Sequence, residues 1–302
     1  MHSSIPKFIR AKEKGLLQKK ISQAEALLAS CTLCPRQCRV DRTKEEKGYC
    51  KTGKKALVAS FAPHFGEEPQ LVGQKGSGTI FFSHCSLKCV FCQNHEISIE
   101  GQGRKIDDEE MASIMLYLQK TGCLNINLVT PSHVVPQILK AVNIAADNGL
   151  KIPLVYNCSG YESIEALEIL KDMIDIYMPD FKFWDPGSAK KYCHAEDYPA
   201  IAKKAVVEMH SQAGDLVMDD DGLAVSGLLV RHLVMPGGLF ETKEILTFLK
   251  EQVSPFTHVN IMSQYHPAGE ALKIKALSQP LSPLEFKKAF QMGKDSGLTL
   301  IR

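Results

Sequence analysis

From Thr79 onward, short β-rich runs alternate with longer amphipathic ones. TIFFS is followed by DDEEMASIMLYLQK, NINLVT by SHVVPQILKAVNIAAD, and IPLVYN by YESIEALEILKD. IDIYMP, LLVRHLVM and VNIMSQ continue the series, each with a helix candidate behind it. A strand followed by a full helix returns the chain to the same end of the sheet, so successive strands run parallel. Six such units predict an α/β chain built as an open (β/α)6 barrel, three-quarters of a closed TIM-like one. Asp107 and Ser132 sit where helix N-caps belong, and Gly122 and Gly149 where helices close. DLVMDDDGLAVSGLLV reads as a hairpin turning at Asp221-Gly222 ahead of the fifth strand.

In that architecture the chemistry lies on loops leaving the strands' carboxyl ends. The loop after TIFFS carries CSLKCVFC, which places Cys85, Cys89 and Cys92 at the spacing CxxxCxxC, with Phe91 directly before the last cysteine. A 4Fe-4S cube has four iron corners and is normally held by four thiolates. Three close cysteines without a nearby fourth point to one iron left open for another ligand. The competing reading is a zinc knuckle completed by His84 or His95. A structural zinc, however, takes four ligands in a closed tetrahedron, usually from paired short spacings.

Residues 1–75 stand outside the alternation and predict a separate helical, cysteine-rich N-terminal extension, with the barrel over residues 76–302. The extension holds CTLCPRQCRVDRTKEEKGYC, in which Cys31, Cys34, Cys38 and Cys50 suit either a second iron–sulfur cluster or a structural zinc. PKFIRAKEKGLLQKKISQAEALL, ahead of it, reads as a surface-packed helix rather than a targeting peptide. With 302 residues, 44% of them hydrophobic, the chain can bury a full-sized core. Its net charge of +2 gives no electrostatic case for nucleic acid or a membrane surface, and no apolar run approaches the roughly 20 residues of a spanning helix. Ten cysteines, mostly in two clusters, fit a reducing cytoplasm with metal on board.

The CxxxCxxC motif after a first strand, with its aromatic residue, resembles the signature of the radical S-adenosylmethionine (SAM) enzymes. GSGTIFFSHCSLKCVFCQNHEIS, NLVTPSHVVPQIL, VYNCSGYE, DIYMPDFK, LLVRHLVMPGG and VNIMSQYHP resemble, more narrowly, the pyruvate formate-lyase activating enzyme-like group of PflX type. The likeness runs from about Cys31 to about Gly269. It implies an open iron that chelates the amino and carboxylate groups of SAM, then passes one electron into its sulfonium. The products would be methionine and a 5′-deoxyadenosyl radical. It also implies a flavodoxin- or ferredoxin-type reductant and, as substrate, a glycyl radical enzyme or a peptide.

Polar residues at the strand ends are the candidate cofactor contacts: Asn157 after the third strand, Asp180 and Lys182 after the fourth, Arg231 in the fifth and His266 after the sixth, beside Phe91 in the cluster loop. Asp180 and Lys182 are two apart, so an extended backbone sends both side chains to one face. The resemblance implies that they help hold the methionyl part of SAM. It likewise matches Arg231 to an arginine of the family's fifth-strand motif, and Tyr265, His266 and Gly269 to its Tyr-His-x-x-Gly. The chain departs from the family where Gly-Gly-Glu is usual after the second strand and it reads Thr130-Pro131-Ser132-His133. Thr130 and Ser132 are the oxygen donors available there. His84 stands where glycine is common.

Three function classes follow. The first is a radical SAM oxidoreductase of the glycyl-radical-activating type. The second is a radical SAM enzyme acting on a small molecule. The third is a non-catalytic iron–sulfur electron carrier, for which a six-unit barrel with polar strand ends is more than the task needs. A zinc hydrolase lacks an HExxH or comparable ligand set.

Overall fold

The computed structural model describes residues 5–301; the outermost ends of the two expected segments, 1–4 and 302, lie outside it. Helices α1 (Lys7–Glu13) and α2 (Leu16–Ala26) open the chain where the sequence suggests one continuous helix. The break falls at Gly15, whose φ of +71° leaves the helical region at little cost for glycine. Residues 27–55 wind through the cysteine-rich segment with no longer element than a three-residue turn at Arg42–Lys44.

The alternation then takes shape. β1 (Ala56–His64) and α3 (Pro69–Val72) precede β2 (Ser77–Phe82), and α4 (His95–Ser98) and β3 (Arg104–Ile106) follow it. The run continues as α5 (Asp108–Lys120), β4 (Ile126–Val129), α6 (Val135–Asp147), β5 (Leu154–Cys158), α7 (Ile164–Leu170) and β6 (Ile176–Pro179). After two helices, α8 (Pro186–Cys193) and α9 (Tyr198–Ala213), come β7 (Val217–Met218), β8 (Ala224–Leu233), α10 (Leu239–Phe248), β9 (His258–Met262), α11 (Pro283–Ser296) and β10 (Thr299–Leu300).

The strands form one sheet in the order β10-β9-β8-β6-β5-β4-β2-β1-β3, with β7 paired to β8. Along this path from β2 to β10 every ladder is parallel. β5 and β6 are buried along their whole length, which is why they read as unbroken apolar runs rather than alternating ones. The six strands of the sequence reading are β2, β4, β5, β6, β8 and β9. β10 adds a seventh parallel strand, and β1 and β3 add an antiparallel edge. Among the described residues no ladder joins β3 to β10, so the hydrogen-bonded path is open. The expected hairpin is present as β7–β8.

The N-terminal segment is woven into this body. β1 is a neighbour of β2, and α2 packs against α6 and α7. The Lys7 N–H donates to Asp175 Oδ1 at 2.8 Å, and Lys12 Nζ reaches Asp147 at 2.7 Å and Asn143 Oδ1 at 2.7 Å. Phe8, Leu17 and Ala24 belong to the same hydrophobic cluster as Leu128, Tyr177 and Val230.

Asp107 caps α5 as read, accepting from the Glu110 N–H at 3.0 Å. Gly122 and Gly149, at φ of +98° and +90°, follow the last turns of α5 and α6. Ser132 does not cap α6. The N-cap position is Val134, and the Ser132 hydroxyl instead donates to Glu162 Oε1 at 2.5 Å in the interior. A buried carboxylate outcompetes the helix end for that donor.

Candidate metal and cofactor site

β2 delivers the chain into the cysteine loop through two anchors: the Ser83 N–H donates to Leu57 O at 2.9 Å and the His84 N–H to Ile97 O at 2.9 Å. His84 has φ of +71°, the left-handed region that favours glycine and costs other residues roughly 1–2 kcal/mol. That conformation is the physical content of the departure noted at this position. The loop is then pinned from outside, because the Val90 N–H donates to Tyr192 O at 2.9 Å and Val90 O accepts from the Ala271 N–H at 3.0 Å.

Cys85, Cys89 and Cys92 all line one cavity of about 300 Å³ at the strand ends. Cys85 Sγ accepts from the Leu87 N–H at 3.4 Å, and Cys92 Sγ from the Ser98 hydroxyl at 3.1 Å. Burial pushes the Cys85 thiol up to about 12 and raises Cys92 as well. A cation in the cavity favours the ionised form of such thiols, so metal uptake and proton release are coupled here. The described residues contain no group of three or more His, Cys, Asp or Glu side chains arranged around a single metal ion. Thiolates of a polynuclear cluster each take a different iron and need not meet at one point. Three thiols spread around one cavity wall therefore fit a cluster, and the alternative zinc knuckle with His84 or His95 lacks its converged ligand set.

The same cavity is lined by Phe91, Asn157, Asp180, Lys182 and Arg231. Asp180 lies just past β6 and pairs across to Arg231 of β8. Asp180 Oδ1 accepts from Arg231 Nε at 2.8 Å, and Oδ2 accepts from Lys182 Nζ at 2.5 Å. The remaining guanidinium nitrogens of Arg231 donate to Glu67 Oε2 at 3.1 Å and to Asn157 Oδ1 at 2.7 Å. Burial works against the Asp180 carboxylate, but Arg231 and Lys182 outweigh it and hold the group below its ordinary range. Burial likewise opposes the charge on Lys182, and Asp180 reverses that effect and raises it. Glu67 goes the other way: burial raises it more than Arg231 lowers it. The cavity-lining Arg231, Asp180 and Lys182 thus continue, with Glu67 behind them, as a chain of alternating charges that ends at Lys182.

Thr130, which also lines the cavity, leaves β4 at φ of +61°, a rare conformation for a β-branched residue. Its N–H donates to Asn157 O at 2.9 Å. Phe91 sets its ring edge-on to Phe183, centroids 5.9 Å apart, and 6.3 Å from Tyr265.

His266 is not brought together with the other candidate contacts. It is exposed and does not line the cavity. Its neighbour Tyr265 takes the interior, donating its hydroxyl to Leu277 O at 2.6 Å, and the next residue of an extended segment faces the other way. Three participants were not foreseen. Glu67 balances Arg231, Cys193 lies against Cys89 at 3.2 Å, and the buried Arg42 ties Gly53 O to His133 O. A lone acid, a lone cysteine and a lone arginine in separate loops carry no spacing signal; their partners are set by tertiary contact alone.

The second cysteine group forms a tight knot. Four residues within 37–51 that are not glycine (Gln37, Arg39, Glu45 and Lys51) have φ between +40° and +64°, at roughly 1–2 kcal/mol each. The Tyr49 N–H donates to Cys38 Sγ at 3.2 Å, and Arg42 Nη1 approaches Cys31 Sγ at 3.8 Å. Burial pushes the Cys34 thiol up to about 12, with Cys50, Cys31 and Cys38 near enough to add to it. The knot abuts the first motif: Arg36 donates to Ser86 O at 2.9 Å and lies over the Tyr49 ring at 4.2 Å.

A parallel α/β sheet with a CxxxCxxC loop at the end of its first parallel strand defines the class, and comparison with known proteins agrees. The radical SAM superfamily profile matches residues 79–219. The uncharacterized protein MJ0674 of Methanocaldococcus jannaschii is 30% identical over 297 residues, covering 95% of this chain and 81% of its own length. Residues 79–219 of this chain are thus a radical SAM superfamily domain. Similar solved structures include anSMEcpe with bound AdoMet and the Cp18Cys peptide (12% identity, 72% of this chain, TM-score 0.48) and SuiB of Streptococcus suis (13%, 72%, 0.45). The chain spans 60% and 46% of those two proteins.

Proposed function

We propose that the chain reductively cleaves SAM at a 4Fe-4S cluster held by Cys85, Cys89 and Cys92. The observation that carries this reading is the shared cavity, in which the three thiols face Asp180, Lys182, Arg231 and Asn157. When bound, the cluster supplies an open iron and one electron for the sulfonium, so that SAM yields methionine and a 5′-deoxyadenosyl radical. Lys182 spends one of its three N–H donors on Asp180 and offers the others to the carboxylate of SAM. Asp180 keeps Lys182 charged and aimed, while Arg231 holds Asp180 and Asn157 in place. Phe91, backed by Phe183 and Tyr265, presents an apolar wall that keeps water from the reacting carbon.

The chain is read further as glycyl-radical-activating in type, with a protein or peptide as hydrogen donor and a flavodoxin- or ferredoxin-type protein as reductant. The supporting observation is the open strand path, read as a partial (β/α)6 barrel, which leaves one side free for a loop of another protein. Cys31, Cys34, Cys38 and Cys50 are read as a second metal site, iron–sulfur rather than zinc. The knot carries strained backbone and buried thiols that a ligand would offset, and its thiols share with the first motif the absence of single-ion convergence. All ten cysteines are free, in keeping with a cytoplasmic setting. No helix among the described residues is long and apolar enough to cross a membrane.

The deciding experiment gives SAM alone to the anaerobically reconstituted, reduced protein. Methionine and 5′-deoxyadenosine should appear slowly in equal amounts, and faster with the substrate present. Methylthioadenosine or S-adenosylhomocysteine as the main product would overturn the reading.

A further inference from the structure

One thiol outside both cysteine motifs reaches the cluster loop. Cys193 ends α8 fully buried, with its Sγ 3.2 Å from Cys89 Sγ. A disulfide bond is about 2.05 Å long, so the two sulfurs stand little more than an ångström beyond bonding. Backbone contacts enforce the approach. The Val90 N–H to Tyr192 O hydrogen bond ties the residues next to each cysteine, and Arg36 clamps the same seam by donating to Ser86 O at 2.9 Å and His194 O at 2.7 Å. Cys89 lines the cavity, whereas Cys193 lies behind it with no exposed surface. Of this pair, an oxidant entering the cavity therefore reaches Cys89 and not Cys193.

We propose that Cys89 and Cys193 form a reversible disulfide when the chain has lost its cluster, protecting Cys89 from irreversible oxidation. Hydrogen peroxide oxidises the Cys89 sulfur to a sulfenic acid and is itself reduced to water. The Cys193 sulfur then attacks that sulfenic sulfur. The sulfur–oxygon bond breaks, the oxygen leaves as water with the proton from Cys193, and the sulfur–sulfur bond forms. The two electrons lost by the thiol pair are those gained by the peroxide, and a dithiol returns them. Without Cys193 the sulfenic acid continues to the sulfinic acid, which a dithiol does not reverse. The disulfide also removes one of the three cluster ligands, so the oxidised chain takes up iron only after reduction.

The protective consequence rests on Cys89 being a cluster ligand; the bond itself does not. The test uses the full chain freed of iron by a chelator, treated with hydrogen peroxide, blocked with an alkylating agent in denaturant and mapped by mass spectrometry. The peptides bearing Cys89 and Cys193 should be joined, and dithiothreitol should separate them. Separate alkylation of both cysteines, or linkage of Cys89 to Cys85 or Cys92, would overturn the proposal. Cys193→Ser is then carried through peroxide, dithiothreitol and anaerobic iron–sulfide loading. Iron per chain and cluster absorbance should return in the native protein and stay low in the variant, with a sulfinic acid at Cys89. Equal recovery in both would refute the protection. If the untreated proteins also fail to bind iron, the cluster reading falls while the cross-link result stands.

Discussion

Arg231 meets Asp180 side-on, Nε to Oδ1 at 2.8 Å, at the point where the ends of β6 and β8 come together. The contact is locked by the backbone as well, since the Phe181 N–H donates to Arg231 O at 2.8 Å. Arg231 is therefore the structural member of the charge chain and Lys182 its free end. Removing them should have different consequences. Lys182→Ala leaves Asp180 paired, and should weaken SAM binding by roughly tenfold to a hundredfold, the worth of one charge-assisted hydrogen bond, while the cluster and the melting temperature are retained. Arg231→Ala leaves the buried Glu67 without its cation and Asp180 with Lys182 alone, and should cost about 3–5 kcal/mol of stability. Calorimetric SAM titration beside thermal unfolding separates the two. A melting loss in Lys182→Ala as large as that in Arg231→Ala would show that Lys182 merely braces the sheet.

The three loop cysteines give a simpler test. Replacing Cys85, Cys89 and Cys92 together with alanine should abolish one cluster's iron, sulfide and visible absorbance, with the fold kept by the anchors at Ser83, His84 and Val90. Unchanged iron with loss of zinc would reverse the assignment.

For the second cysteine group, deleting residues 1–75 is the wrong test, because the deletion takes away β1 and the core residues Phe8 and Leu17. Serine at Cys31, Cys34, Cys38 and Cys50 leaves the sheet intact. Iron per chain should fall by a second cluster's worth, zinc should be unaffected, and proteases should cut the 37–51 knot faster once nothing offsets its left-handed residues. Equal metal content in variant and native protein would remove the second site.

The extent of what sequence reasoning reached follows from the range of each signal. β2, β4, β5, β6, β8 and β9 were legible because strands buried on both faces read as apolar runs and the helices between them have their own period. Asp180 and Lys182 were legible as a pair because strand alternation is local. β1 was not, since a strand paired antiparallel to both neighbours needs no crossover helix behind it and ALVASFAPH sits in a segment read as separate. Glu67, Arg42 and Cys193 owe their roles to partners between 91 and 164 residues away. At His266 a motif match names the residue, and the turn of the chain puts its neighbour Tyr265 inside.

The buried acids make the last prediction, on pH. Glu162 accepts from the Ser132 hydroxyl at 2.5 Å and the Tyr156 hydroxyl at 2.9 Å, yet burial outweighs both and pushes its carboxyl up to about 7 from 4.5. Burial also raises Asp175 to about 6 from 3.8. A carboxyl with a raised folded-state pKa binds its proton more tightly folded than unfolded. Its stabilisation is therefore complete below the unfolded pKa and is lost as pH rises through the folded one. For Glu162 that window runs from about 4.5 to 7; the difference of about 2.5 units corresponds to on the order of 3 kcal/mol. Asp180, held below its ordinary range, stays ionised throughout and does not contribute. Denaturant unfolding between pH 5 and 8 should show the native protein losing stability relative to Glu162→Gln as pH rises, a difference in which the opposite contribution of the buried neutral His133 and His232 cancels. Glu162→Gln keeps an acceptor for one of the two hydroxyls and has no proton to lose, so its curve lacks the Glu162 share while Asp175, Glu67 and the other titrating groups contribute to both proteins alike. Parallel curves for the two proteins would mean that Glu162 titrates at its ordinary value and that the cluster of Ser132, Tyr156 and Glu162 is more solvated than its burial indicates.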